Sequence, residues 1–163
     1  METTPTPGQR VIIVGVDGSC SSVAALRLAA SLMPLAGDRI DALAAWQHPL
    51  VSGPYTPLED DYEELAGRAL DRAVTDAFPT GAPCVVTRRV RHGLATEILI
   101  EESRHASMVV LGSRGRGGFN GLLLGSVSSA VVERAECPVL VSHGAAQLAG
   151  GAAIAVPTVG ASM

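Results

Sequence analysis

The chain is expected to form an open α/β sheet, with parallel strands and helices packed on both of its faces. Three observations lead there. Short apolar runs rich in β-branched residues alternate with segments of helical periodicity, the pattern of successive β-α units. The first run, Val11 to Val16, is apolar almost without interruption, as a central strand covered on both faces requires. A glycine-spaced loop then joins a later strand to its helix: Gly112-Ser113-Arg114-Gly115, nine residues, then Gly125-Ser126. Glycines let a main chain approach an anion closely, and the free N–H groups of a helix start point at it.

The elements follow in order. Arg10 to Val16 reads as the first strand and ends in the turn Asp17-Gly18-Ser19. Val23, Leu26, Ala30 and Met33 recur at helical spacing until Pro34 and Gly37 stop the helix. A second strand runs from about Ile40 to Trp46, and Gln47 to Thr56 holds too many breakers for regular structure. Thr56-Pro57-Leu58-Glu59 has the residues of a helix start, with Thr as cap, Pro at the first position and Glu for a capping box. Tyr62, Leu65, Ala69, Ala73 and Ala77 supply its apolar face. Cys84 to Arg91 alternates, Val86 and Val90 against Arg89 and Arg91, as an edge strand with one wet side does. Leu94 to Arg104 is a short helix that buries Ile98 and Leu99. Met108–Leu111 is the fourth strand, a helix starts at Ser126, and Val139-Leu140-Val141 is the last strand. From Gly144 the chain turns to small residues, a mobile tail unless Ile154-Ala155-Val156 adds to a sheet edge.

Composition narrows the chemistry. At 163 residues this is one domain, able to bury about two-thirds of its unfolded surface. Aromatics are only 3% of the chain, so Ala, Val, Leu and Ile must build the core. A net charge of −4 argues against a nucleic-acid binder or a surface that seeks anionic lipid. The first residues lack the basic and apolar regions of a signal peptide, and no apolar run reaches membrane-span length. Cys20, Cys84 and Cys137 are far apart and odd in number, so they read as reduced core or near-core thiols of a cytoplasmic protein. All 12 basic residues are arginine. The lack of lysine removes a Walker A loop and any Schiff-base chemistry.

Ligands of such sheets sit beyond the carboxyl ends of the strands, where the strand order reverses. Two strand ends carry suitable residues, Asp17-Gly18-Ser19 and the Gly112 loop, and they meet if their strands are neighbours. Asp17 could accept a hydrogen bond from a sugar hydroxyl or base amine. Gly112 and Gly115 would admit phosphate, and Ser126 would offer hydroxyl and backbone N–H together. Each residue also has a purely structural reading: Ser126 as a helix cap, Asp17-Gly18 as a turn, Arg114 and Arg116 as solvated loop cations. The full combination of strand, spaced glycines and helix is far more specific than any member. No catalytic group stands out. The histidines do not cluster in the sequence, with His48 a loop residue and His92 and His105 at the surface or strand ends. Glu101 and Glu102 are adjacent on a helix and so should face different ways.

Val11 to Ser19, Val109 to Gly115, Gly125-Ser126-Val127-Ser128 and Cys137 to Val141 together resemble the universal stress protein family. The likeness covers about residues 10–142, and the glycine spacing follows the ATP-binding branch of the family without a break. That resemblance implies the strand order 3-2-1-4-5, an adenine nucleotide in the crevice and dimers formed through Val139, Leu140 and Val141. It places Asp17, with Gly18, at the adenosine end and Ala45 along the adenine. Gly112, Arg114, Gly115, Gly125, Ser126 and Val127 would surround ribose and phosphates, with Ser128 nearby. Two departures stand out: Ser107-Met108 replaces the family's usual Ala-Asp pair, and Leu94 follows Gly93 where Asp or Asn is common.

The organisation implied is a flexible lead over 1–9, a nucleotide-binding domain over 10–143 and a tail over 144–163. The expected function is a cytoplasmic, dimeric protein that binds ATP, with Mg²⁺ or an arginine to neutralise the phosphates, and serves a regulatory role in stress. Binding would order the Gly112–Gly125 loop for a protein partner still to be identified. The alternatives are slow ATP hydrolysis or phosphoryl transfer at the same site, and an interaction module that binds no nucleotide.

Overall fold

A computed structural model describes residues 9–32, 37–48, 61–115 and 124–144. The elements alternate as expected: β1 (Val11–Gly15), α1 (Cys20–Ser31), β2 (Arg39–Trp46), α2 (Tyr62–Ala77), β3 (Val85–His92), α3 (Ala95–Ser103), β4 (Met108–Gly112), α4 (Ser126–Arg134) and β5 (Val139–Ser142). All strand pairs are parallel, in the order β3-β2-β1-β4-β5. The chain therefore steps outward from β1 in one direction, then resumes beside β1 and steps out in the other. Among the described residues, no helix is long and apolar enough to cross a membrane.

The continuous apolar run of β1 is explained by its central place. Ile12, Val14 and Val16 pack with Ala25, Leu26, Ile40, Leu70 and Val110 on the α1–α2 side. Val11 and Ile13 pack with Leu43, Ile98, Leu99, Val109, Leu111 and Val131 on the α3–α4 side. Each such fully buried Val, Leu or Ile side chain contributes about 1.5–3 kcal/mol of burial, which outweighs the modest propensities of short helices.

Some local expectations shift. Helix α2 is capped by Asp61, whose carboxylate accepts a hydrogen bond from the Glu64 N–H at 3.0 Å. The expected start at Thr56-Pro57-Leu58-Glu59 lies outside the described residues, as do Met33, Pro34, Arg116, residues 1–8 and the tail from 145. The buried stripe of α2 is Leu70, Ala73, Val74 and Ala77, while Leu65 is exposed. The stripe turns toward Ala66 and Leu70 because α2 lies over β2 and β3 and packs beside α1. Of the cysteines, Cys84 and Cys137 are half-buried, and desolvation pushes both thiols up. Cys20 is exposed instead, because the inward face of α1 belongs to Ser22, Ala25, Leu26 and Ala29.

β3 is an edge strand as its alternation required. Its charged side is engaged rather than merely wet. Arg89 makes a two-pronged pair with Glu102 of α3, both contacts at 2.7 Å, and Arg91 reaches Glu102 at 2.6 Å and Glu101 at 3.2 Å. Glu101 and Glu102 do differ in direction, Glu101 standing exposed and Glu102 tucked against the sheet, yet both meet the same arginine. The long fork of one arginine spans both carboxylates, which helical spacing alone would separate.

Candidate functional site

β1 and β4 are neighbours, so the two loaded strand ends do meet. Between them opens a cleft of about 420 Å³, within the usual range of small-molecule sites. Leu43, Ala45, Ala95, Leu99 and Leu111 form an apolar wall on the α3 side. Asp17, Ser19, Ser21, Arg114, Gly125 and Ser126 supply the polar lining of the cleft.

Asp17 leaves β1 exposed, and its Oδ1 accepts a hydrogen bond from the Ser19 N–H at 2.9 Å. The carboxylate closes a turn that Gly18 completes with a φ of +79°. Gly18 is thereby a turn residue and is not among the cleft-lining residues, unlike the other nine sequence-predicted positions. Its φ falls in the left-handed region, which a side chain resists. The structural reading of Asp17-Gly18 is therefore correct, and Asp17 still stands on the cleft wall.

Close approach accounts for two glycines of the loop. A Cβ on Gly112 would stand 2.8 Å from the backbone carbonyl carbon of Ser21, so β4 and the start of α1 touch main chain to main chain. A Cβ on Gly115 would stand 2.7 Å from Asp17 Oδ2, so any side chain there intrudes on the Asp17 carboxylate. The loop is latched from both sides. Ser21 Oγ donates to the Arg114 carbonyl, and Ser19 Oγ lies 3.0 Å from Ser21 Oγ. The Gly125 N–H donates to the Ser113 carbonyl at 2.7 Å, which holds the two ends of the glycine loop together. Ser128, 5% exposed, donates its hydroxyl to the Gly112 carbonyl at 2.7 Å and ties α4 to β4.

The expected serine cap on α4 is corrected. Gly125 holds the cap position, with no side-chain hydrogen bond, and Ser126 is the first helical residue. The leading N–H groups of α4 are therefore not met by a cap side chain, and they open onto the cleft that Gly125, Ser126, Val127 and Ser128 line. Arg114 lines the same mouth and is exposed. Ser21 and Ser22 join the cleft without having been expected there, and Ser19 lines it as well as closing the turn. Their signal is present in the serines that follow Asp17-Gly18 at the end of β1.

Among the described residues, no group of three or more His, Cys, Asp or Glu gathers to hold a metal ion. The histidines nevertheless do not stay apart. His48 and His92 lie with their ring centroids 6.0 Å from each other, packed around Trp46 and Tyr62. Parallel pairing of β2 with β3 sets Trp46 opposite His92, a neighbourhood that spacing along the chain does not reveal.

Comparison with known proteins is consistent with this geometry. The family model of the universal stress proteins matches residues 9–143. A universal stress protein of Mycolicibacterium smegmatis is 39% identical over 131 residues, covering 80% of this chain and 44% of that protein. One from Mycobacterium tuberculosis is 34% identical over 148 residues, covering 85% of this chain and 47% of its own. The chain thus spans about half the length of the curated relatives it matches. A crystal structure of a universal stress protein in complex with cAMP superimposes with a TM-score of 0.62 at 25% identity, covering 83% of this chain and 97% of that one. The chain belongs to the universal stress protein family.

Proposed function

We propose that this chain is an adenine-nucleotide-binding regulatory module that takes ATP with Mg²⁺ in the cleft between β1 and β4. The observation that carries the reading is the open start of α4. Its leading N–H groups have no cap side chain and face a cleft whose glycines bring the backbone close. Helix dipole and N–H donors together favour an anion there, and several such contacts must combine because the dipole alone offers about 0.3–1 kcal/mol. The apolar wall of Leu43, Ala45 and Leu99 suits a base, and Asp17 stands where a ribose hydroxyl or base amine would be met. Gly112, Gly115, Gly125, Ser126 and Val127 take ribose and phosphates, Ser128 supports the loop, and Gly18 shapes the Asp17 turn. With no lysine in the chain, Arg114 and Mg²⁺ carried on the phosphates supply the countercharge. The cAMP complex of a relative supports the ligand class.

The same reading assigns the nucleotide-binding unit to residues 10–143, its setting to the cytoplasm and its role to the stress response. It also assigns a homodimer built on β5. That edge, Val139–Ser142, is half-buried and carries no charged side chain, and among the described residues no strand pairs with its outer side, a liability that a second copy removes.

The test is calorimetric titration of the purified protein with ATP and Mg²⁺, after any co-purified nucleotide has been extracted and identified. Saturable binding that disappears in Gly115→Val is the expected result. No binding to the parent protein, with no nucleotide extracted, overturns the reading.

A further inference from the structure

The carboxyl ends of β2 and β3 carry a second group of chemistry-bearing side chains, on the α2 side of the sheet. Trp46 and His92 are register partners there, with ring centroids 4.5 Å apart. His48 lies two residues beyond Trp46, its ring edge-on to Trp46 at 5.2 Å and to Tyr62 at 5.7 Å. The backbone is tied at the same level, since the Gly93 N–H donates to the Trp46 carbonyl at 2.9 Å. Both histidines are exposed residues, and the aromatic packing fixes where their rings lie.

We propose that His48 and His92 form a two-imidazole site for a borderline transition-metal ion, with Cu²⁺ bound more tightly than Ni²⁺ or Zn²⁺. The spacing permits it. A metal–nitrogen bond of about 2.0–2.1 Å lets two rings on one ion hold their centroids up to about 6.4 Å apart. The observed separation is 6.0 Å. Neutral imidazole favours these ions over Mg²⁺ or Ca²⁺, and the Irving–Williams order ranks them. The nearest arginines of β3 are committed elsewhere: Arg88 pairs with Asp71 of α2 at 3.0 Å, and Arg91 points to the opposite face and its glutamates. Among the described residues the site counts two protein ligands, which leaves coordination positions open for water or a small donor, as in an exchangeable site.

Trp46 is the only tryptophan, so it reports on the site directly. The experiment titrates CuCl₂ and NiCl₂ into tag-free protein carrying Cys20→Ser, which removes the exposed thiol as a competing ligand. The expected result is saturable quenching at one equivalent, lost in His48→Gln and in His92→Gln, kept in His105→Gln and not produced by MgCl₂. Circular dichroism verifies that each variant is folded. Electron paramagnetic resonance of the Cu²⁺ complex of the parent protein gives a reading that needs no histidine variant, with coupling to two imidazole nitrogens expected. Quenching that does not saturate, that survives in either single variant, or that also vanishes in His105→Gln overturns the proposal. So does a Cu²⁺ spectrum without two nitrogen donors.

Discussion

Helices α2 and α4 start in opposite ways, and the difference follows what each start faces. No residue of α2 lines the cleft, and Asp61 satisfies its first turn with a carboxylate–backbone hydrogen bond, reinforced by Glu63 and Glu64 near the positive end of the dipole. α4 opens into the cleft with glycine at the cap and no acidic residue in its first turn. α3, whose Ala95 also lines the cleft, begins at Leu94 with no side-chain cap. α1 stands between the two patterns: Ser19 caps it, and the same hydroxyl lies beside the serine that latches the glycine loop. A helix that serves only the fold is closed by its own sequence. Where the proposed ligand would meet backbone N–H groups, the residue at the cap position supplies no side-chain hydrogen bond, at a cost in local stability of up to about 1 kcal/mol per missing cap.

That contrast can be broken at its foundation first. Gly112→Ala drives a methyl into the main chain of Ser21, which cannot move without displacing α1. A loss of about 2–3 kcal/mol in urea denaturation is expected. Gly125→Asp sharpens the contrast by closing α4 as α2 is closed. The space around that position is ordinary, with the nearest atom, the Ser113 carbonyl oxygen, 3.5 Å from the added Cβ. The helix gains a few tenths of a kcal/mol, while ATP affinity in calorimetry falls at least about tenfold, or about 1.4 kcal/mol, because a carboxylate occupies the anion position. Equal affinity in the two proteins would place the phosphates elsewhere. Asp61→Ala opens α2 and lowers stability by about 1 kcal/mol with nucleotide binding unchanged. Leu94→Asp supplies the missing cap of α3 at an exposed position, and thermal unfolding is expected to register a gain of about 0.5–1 kcal/mol.

The glycine loop is legible in the sequence because its requirement is local. A strand that must empty into close backbone contact needs glycine at particular steps, and Gly112 and Gly115 stand at those steps. The capping of α4 escapes the sequence for a related reason. Ser is a good cap by propensity, so Gly125-Ser126 reads as a capped start, whereas the observed dihedral angles set the boundary one residue earlier. Thr56 offers a complete capping signal, yet the described helix is capped by Asp61, because several nearby residues satisfy the same rule. Spacing puts Leu65 on the buried face, but the orientation of α2 depends on how it meets β2, β3 and α1.

By itself the sequence determined the alternation of strands and helices, the central place of β1 and the position of the glycine loop between β4 and α4. These are properties of short segments: periodicity, β-branching and the freedom of glycine. Tertiary structure alone decided which residues far apart in the chain came together. It set Ser21 against Arg114, Arg91 across Glu101 and Glu102, and His48 beside His92 next to Trp46. Parallel strands are joined by crossovers, so neighbours in the sheet are distant in sequence, and the contacts across them follow register rather than any local pattern.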